Sequence, residues 1–180
     1  MRVITGKARG VQLKTPDGQQ TRPTSDRVKE ALFSIIQFEI AGAKILDLFG
    51  GTGQLGIEAL SRGAQSAVFV DAREDACKLI RENLRRTRFE QNSKVFKCDY
   101  LAYLKQTSDK FQIIFLDPPY AEEFLENALN CITEIDILQS GGIIVAERPV
   151  GKELPLTFSG YERSKDYKYG QTLLTVYRKA

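Results

Sequence analysis

The chain predicts an α/β fold built on a mostly parallel sheet, and three observations carry that prediction. After Gly42, short apolar runs alternate with amphipathic stretches of helical spacing, the pattern of repeated strand–helix–strand units. Each of the five runs expected to lie parallel ends at or beside an acid: Asp47, Asp71, Asp99, Asp117 and Glu147. The first run leads into Asp47-Leu48-Phe49-Gly50-Gly51-Thr52-Gly53, a glycine loop of the kind that lets a backbone approach a ligand closely.

Taken in order, residues 1–14 alternate apolar and polar around Gly6 and Gly10, which predicts a short β-hairpin or arm with a basic outward face. Pro16, Gly18 and Pro23 keep the next segment irregular. Thr24 or Ser25 then serves as an N-cap, with Asp26 in the favourable first turn. From Val28 the apolar residues Ala31, Leu32, Ile35 and Ile36 recur at helical spacing. Strands are expected at Ile45–Phe49, Ser66–Val70, Lys94–Lys97, Phe111–Leu116 and Gly142–Ala146. Helices are expected at Gln54–Arg62, Asp75–Arg88 and Glu122–Cys131. The middle helix is best marked, because Ala76, Leu79, Ile80 and Leu84 share one face while Glu74, Lys78, Glu82 and Arg86 pair at i, i+4 on another. After Pro155 the runs Phe158–Tyr167 and Gln171–Arg178, parted by Lys168-Tyr169-Gly170, predict a closing antiparallel hairpin.

At 180 residues the chain has room for one well-buried domain, residues 1–180, with residues 1–24 as its arm. No apolar stretch approaches the ~20 residues that span a bilayer, and Met1-Arg2-Val3-Ile4-Thr5 lacks a signal-peptide core, so a cytoplasmic protein is expected. Cys77, Cys98 and Cys131 are widely spaced without a CxxC pair, which fits reduced thiols. Histidine is absent, and with it Ser-His-Asp and Cys-His catalysis and His-ligated metals. The net charge is only +3, but it is segregated. Arg2, Lys7, Arg9 and Lys14 precede the first acid, Arg22, Arg27 and Lys29 follow, and Lys78, Arg81, Arg85, Arg86 and Arg88 form a second cluster. Such grouping favours a polyanionic partner.

In an open α/β sheet the carboxyl ends of the strands line the ligand crevice, so the acids converge on one cavity. Asp71, twenty residues after Gly51, stands where a carboxylate accepts both ribose hydroxyls, and Asp99 can meet an adenine amino group. Asp47 suits the amino group of a methionine moiety. An adenosine-containing cofactor follows. Gly51-x-Gly53-x-x-Gly56 also satisfies the dinucleotide fingerprint, and Tyr161-x-x-x-Lys165 mimics a dehydrogenase pair, although it lies in the terminal strand region. Against hydride transfer stands Asp117-Pro118-Pro119-Tyr120, which follows the apolar run from Phe111 to Leu116. Two prolines fix φ near −65° and remove two amide donors, leaving a stiff acceptor loop suited to a planar amine. Asp117 and a backbone carbonyl would hold the N–H groups while Tyr120 covers the ring.

Thr21-Arg22-Pro23-Thr24-Ser25-Asp26-Arg27-Val28-Lys29-Glu30-Ala31-Leu32-Phe33, the glycine loop, Leu60-Ser61-Arg62-Gly63-Ala64 and Asp-Pro-Pro-Tyr together resemble the RsmD family of bacterial rRNA guanine-N2 methyltransferases, over essentially the whole chain. Where many relatives carry Glu and Ala, this chain has Asp71 and Gly51. The resemblance implies a Rossmann-like class I methyltransferase with a mostly parallel seven-stranded sheet, an antiparallel C-terminal hairpin and an N-terminal β-hairpin arm. It implies S-adenosyl-L-methionine as cofactor, held by Asp47, Phe49, Gly50, Gly51, Gly53, Asp71, Ala72, Asp99 and Tyr100. Asp117, Pro118, Pro119 and Tyr120 become the catalytic element. Arg2, Lys7, Arg9, Lys14, Arg22 and Arg27 become the contacts to small-subunit (16S) rRNA or the small ribosomal subunit. No metal and no membrane are implied, and a monomer is expected. An amino methyltransferase acting on DNA or protein, or a nicotinamide-dependent oxidoreductase, is the alternative.

Overall fold

The computed structural model describes residues 1–16, 26–119, 123–158 and 160–179. Helix α1 spans Asp26–Ile35, and strands and helices then alternate as β1 (Lys44–Asp47), α2 (Gln54–Ser61), β2 (Ser66–Asp71), α3 (Glu74–Thr87), β3 (Ser93–Lys97), α4 (Tyr100–Gln106), β4 (Phe111–Leu116), α5 (Glu123–Ile135) and β5 (Leu138–Pro149). Strands β6 (Thr157–Phe158), β7 (Tyr161–Tyr169) and β8 (Thr172–Lys179) complete the chain. Among the described residues they form one eight-stranded sheet in the order β3-β2-β1-β4-β5-β8-β7-β6. The first five run parallel, and the last three join antiparallel.

Central strands covered on both faces read as unbroken apolar runs, as Ile113–Leu116 does, and side-chain alternation sends neighbours to opposite cores. Ile45, Phe69, Ile113, Phe115, Ile143 and Val145 pack with α1, α2, α3 and the N-terminal arm. Leu46, Val68, Val70, Ile114, Leu116, Ile144 and Ala146 pack with α4 and α5. Helix α3 buries Ala76, Cys77, Ile80, Asn83, Leu84 and Thr87 along one stripe. Its acids Glu74 and Asp75 lie in the first turn and Arg85 and Arg86 in the last, each sign matched to the helix dipole.

The arm is a loose hairpin. A single Arg2↔Gln12 bridge joins its limbs, helped by backbone bonds from Val3 to Val11 and from Leu13 to Met1. Its anchorage comes from elsewhere. The buried Glu58 carboxylate on α2 accepts from the Ile4 and Thr5 amides at 2.8 and 3.0 Å and from Arg62 Nε at 2.9 Å, with Lys29 Nζ at 3.7 Å. Lys29 Nζ in turn donates to the Arg2 carbonyl at 2.6 Å. Gly6 (φ 90°) lies so close to α2 that a Cβ there would fall 1.8 Å from the Ser61 carbonyl oxygen. Asn83 closes the arm's far end, accepting from the Lys14 amide and donating to the Lys14 and Thr52 carbonyls.

The structure departs from the sequence expectations in three places. The run expected as one strand from Phe158 is divided, so a two-residue edge strand precedes β7 and the described sheet has eight strands instead of seven. Helix α4 was not expected; Asp99 caps it, its Oδ1 accepting from the Leu101 and Ala102 amides at 2.9 and 3.2 Å. Helix α5 continues to Ile135, and β5 begins at Leu138, before a register shift opposite β4. Thr24 and Ser25, the expected cap of α1, lie outside the described residues.

Candidate active site

The parallel register brings the strand-end acids to one edge of the sheet. Asp47 and Asp71 are the last residues of β1 and β2, Asp117 follows β4, and Glu147 lies near the end of β5. Asp99 joins them only as the exposed cap of α4.

Asp47 is the most deeply placed. It is 2% exposed, and its Oδ2 accepts from the Gly56 amide at 3.1 Å. That amide is the third of α2, one of the donors every helix leaves unmatched at its start. The cap residue, Gly53, has φ 79° and no side chain to offer, so a carboxylate from the neighbouring strand does the capping. Burial pushes the Asp47 carboxyl up to about 7; the Gly56 bond pulls it down and the Asp71 charge adds to the rise.

The glycine loop is bound to the end of β2. Gly50 N–H donates to the Val70 carbonyl at 2.8 Å, and Gly51 N–H donates to Asp71 Oδ2 at 2.9 Å. Asp71 Oδ1 also accepts from the Arg73 amide, so both oxygens are held in fixed orientation. A Cβ on Gly50 would come within 2.7 Å of Ile80 Cδ1, and Gly53 has Ile57 and Ile80 at 3.2 and 3.3 Å. Gly51 (φ 55°) faces the open side, where the nearest atom is the Phe49 carbonyl oxygen at 3.9 Å. Beside the loop Phe49, Tyr100 and Phe124 form an aromatic cluster: Phe49 and Tyr100 centroids are 5.1 Å apart, and Phe124 lies 5.6 Å from Tyr100.

Asp117 and Pro118 are partly exposed and Pro119 is exposed at the end of β4, one strand from the glycine loop. Desolvation, then the charge of Glu147, then that of Asp47, hold the Asp117 carboxyl well above the usual carboxylate range. The reason is geometric. Leu116 pairs with Ala146, Asp117 and Glu147 follow them in the chain, and the Glu147 charge is felt at Asp117. Glu147, opposite Leu174, falls on the face occupied by Val145. Among the described residues no group of three His, Cys, Asp or Glu side chains is arranged to hold a metal.

These features fit an adenosine cofactor that bears an amino acid. A carboxylate kept out of water is a site for a cation, a side-chain-free loop admits a ligand's backbone-close approach, and Asp71 is an oriented acceptor. Of the expected cofactor residues, Asp47, Phe49, Gly50, Gly51, Gly53, Asp71 and Tyr100 are brought together, Ala72 follows Asp71 exposed, and Asp99 stands at the rim. Phe124 was not foreseen; its only signal was an aromatic residue in the first turn of an apolar-striped helix. Tyr161 and Lys165 are not a catalytic pair: the Tyr161 hydroxyl donates to Asp136 Oδ1, and Lys165 lies over the Tyr167 ring. Of the expected RNA contacts, Arg2, Lys7, Arg9, Lys14 and Arg27 are all exposed, Arg2 beside Asp26 and Lys14 paired with Glu82 at 2.9 Å. Arg22 and Tyr120 lie outside the described residues.

Residues 1–178 match the family model described as Conserved hypothetical protein 95. The chain belongs to this family. YlbH of Bacillus subtilis is 40% identical over 99% of both chains. Ribosomal RNA small subunit methyltransferase D of Escherichia coli is 32% identical over 99% of this chain and 90% of that protein. The solved structure of yhhF from Escherichia coli superposes with a TM-score of 0.90 at 31% identity, covering 99% of this chain and 97% of that one. The expected α/β methyltransferase architecture, parallel sheet and antiparallel end together, is therefore the observed one.

Proposed function

We propose that this family member transfers the methyl group of S-adenosylmethionine to the N2 amine of a guanine in small-subunit (16S) rRNA, acting in the cytoplasm as a monomer. The observation that carries the reading is the Asp117-Pro118-Pro119 loop at the end of β4, next to the strand that leads into the glycine loop. The name of the Escherichia coli relative supports the substrate class. No helix of the described residues is long and apolar enough to cross a membrane.

Asp47 would hold the cofactor's amino group, Asp71 its ribose, and the Phe49–Tyr100–Phe124 cluster would flank its apolar surface. When bound, S-adenosylmethionine supplies an electrophilic methyl group on a sulfonium. The chain supplies position. Asp117 and the Pro118 carbonyl accept the amine's hydrogens and turn its lone pair toward the donor, and Tyr120 is assigned to cover the base. Holding two reactants in line contributes ~7–11 kcal/mol in well-oriented systems, enough to dispense with a covalent enzyme intermediate. Donors at Asp117 favour its ionised form, which would receive the proton released from nitrogen as the C–N bond forms and the methyl–sulfur bond breaks, its electron pair left on the departing thioether sulfur. A guanine stacked in a duplex cannot present N2 this way, so the substrate base is unpaired or extruded.

Arg2, Lys7, Arg9, Lys14, Arg22 and Arg27 are assigned to phosphates around the target. Each contact contributes ~0.7–0.9 to the log–log slope of affinity against salt. Removing the charges of Arg2, Lys7 and Arg9 should lower both affinity and slope, and an unchanged slope rejects the assignment. The function itself is tested with labelled S-adenosylmethionine and small-subunit particles lacking the modification. The expected product is N2-methylguanosine in the rRNA; label in another atom, in DNA or in protein overturns the reading.

A further inference from the structure

We propose that the outer face of α3 is a second surface for the RNA backbone, on which Lys78, Arg81, Arg85 and Arg88 hold phosphates of the strand leading away from the methylated base. This rests on the rRNA reading and extends it beyond the arm.

Lys78, Arg81 and Arg85 recur at i, i+3 and i+7, the spacing of one helical stripe, and Arg88 follows at the C-cap. All four are exposed. At 1.5 Å per residue the stripe is ~15 Å long, enough to follow several phosphates of a strand. Helix stability does not account for it. Arg85 complements the negative end of the helix dipole, but Lys78 lies in the first half of α3, where the dipole offers a cation nothing. Arg81 and Arg85 repel each other at i, i+4. Arg88 holds φ 61°, a conformation ordinarily left to Gly at a helix end.

The acids nearby are engaged elsewhere. Glu74 feels the charges of Lys78 and Arg81 but pairs with Lys97 at 3.0 Å. Asp75 pairs with Arg73 at 3.5 Å, and Glu82 with Lys14 at 2.9 Å and Arg86 at 3.4 Å. Among the described residues, none of the four stripe cations takes part in an ion pair within 4 Å. Between α3 and the edge strand β3 runs a groove of about 270 Å³, lined by Arg81, Leu84, Arg85, Glu90, Ser93 and Val95. Arg81 Nη2 donates to the Val95 carbonyl at 3.5 Å, which holds its guanidinium toward the strand. Glu90 is outweighed there by two guanidinium groups.

The Lys78 end opens onto a cavity of about 440 Å³ shared with Lys14 and Arg73. Asp75 and Glu82 line it too, balanced by Arg73 and Lys14, so Lys78 is its net charge. Lys14 is the last cation of residues 1–14, and positive charge therefore runs from the arm across Lys78 to Arg88. A linear row of cations, three of them planar forks that match phosphate oxygens, suits an evenly charged backbone. Phosphate contacts position and do not specify. The stripe supplies affinity and orientation, and base choice stays with the strand-end site.

The test combines Lys78→Gln, Arg81→Gln and Arg85→Gln in one variant, all at exposed positions. Binding to small-subunit particles lacking the modification is followed between ~50 and ~200 mM salt. The log–log slope should fall by ~2–3, and KM for particles should rise about tenfold, with kcat and S-adenosylmethionine affinity unchanged. A control with Lys44→Gln, Lys105→Gln and Lys168→Gln loses the same charge at exposed positions elsewhere and should keep the wild-type slope. An unchanged slope in the α3 variant, or an equal fall in the control, overturns the proposal. If the combined variant does not fold, Arg85→Gln alone should lower the slope by ~0.7–0.9, and no change there overturns it as well. Failure of the parent reading looks different: the wild-type enzyme then makes no N2-methylguanosine in the particles, whatever their affinity.

Discussion

Two groups of charged residues, one centred on the buried Glu58 and Lys29 and the other buried only at Asp47, are built on opposite plans. Under the arm, Glu58 sits among Lys29, Arg62 and two backbone amides, so every charge has an opposite or a donor within 4 Å. At the strand ends, Asp47, Asp117 and Glu147 bring like charges together, and protonation of both aspartates rises. In the first arrangement each charge meets an opposite one or a donor, whereas in the second burial and like charges favour the protonated form of both aspartates. Burial alone therefore does not mark a functional site. The sign of the neighbours does.

The sharpest way to break this contrast is to remove one member from each group. Asp117→Ala should reduce methyl transfer by about 10²–10⁴-fold in single-turnover assays, while cofactor affinity changes by less than about twofold. Relief of repulsion should leave the fold as stable as before or slightly more so. Full activity in Asp117→Ala would falsify its role in holding the amine.

Glu58→Ala should act the other way. Breaking a buried ion pair from one side leaves an uncompensated charge, at a cost of ~3–5 kcal/mol, here on Lys29, whose side chain is fully buried. Burial already lowers the Lys29 pKa, with the Glu58 charge opposing that shift, so loss of Glu58 drives Lys29 further toward the neutral amine. Urea unfolding at pH 7 should show the loss, and methyl transfer per folded molecule should persist. A stability change below about 1 kcal/mol would mean the arm is held by its backbone bonds and not by this network.

The same contrast explains which parts were legible in the sequence. The parallel half was readable because its central strands are largely apolar runs and acids recur at or near the strand ends. Asp47, Asp71 and Asp117 were found from that recurrence, and the glycine loop from its composition. Asp99 was grouped with them on position, but its side chain caps α4, a seven-residue helix whose buried Tyr100, Tyr103 and Leu104 give too few turns for a periodic signal. The division of β6 from β7 turns on Gly160, whose φ of 83° is a conformation that composition does not announce. The Lys29–Glu58 pair was hidden because its partners are 29 residues apart, each on a helix where charge normally signals a solvated face. Glu147 was visible as an acid but not as the neighbour of Asp117, since adjacency depends on strand order, which sequence spacing leaves open.

A smaller effect sharpens the comparison through pH. The ordinary carboxyl value for Asp47 is 3.8 and the folded one about 7, so between these values the folded chain holds a proton that the unfolded chain has released. By linkage, the stabilisation from this group is fully present at the acid end and is lost as pH rises through about 7. A bound amino group reverses the preference, because an ammonium ion beside Asp47 favours the carboxylate. Cofactor binding below pH 7 should therefore expel a proton, and affinity should rise toward a limit of about tenfold per pH unit from pH 5.5 to 6.5, levelling near 7. Calorimetry in buffers of different ionisation enthalpy measures the proton directly. Asp71→Asn removes a neighbouring charge that raises Asp47, so it should move the midpoint to lower pH while keeping the sign. An affinity flat across this range, with no proton released, would show Asp47 already ionised in the free protein; the cleft would then resemble the Glu58 network, its charge compensated before any ligand arrives.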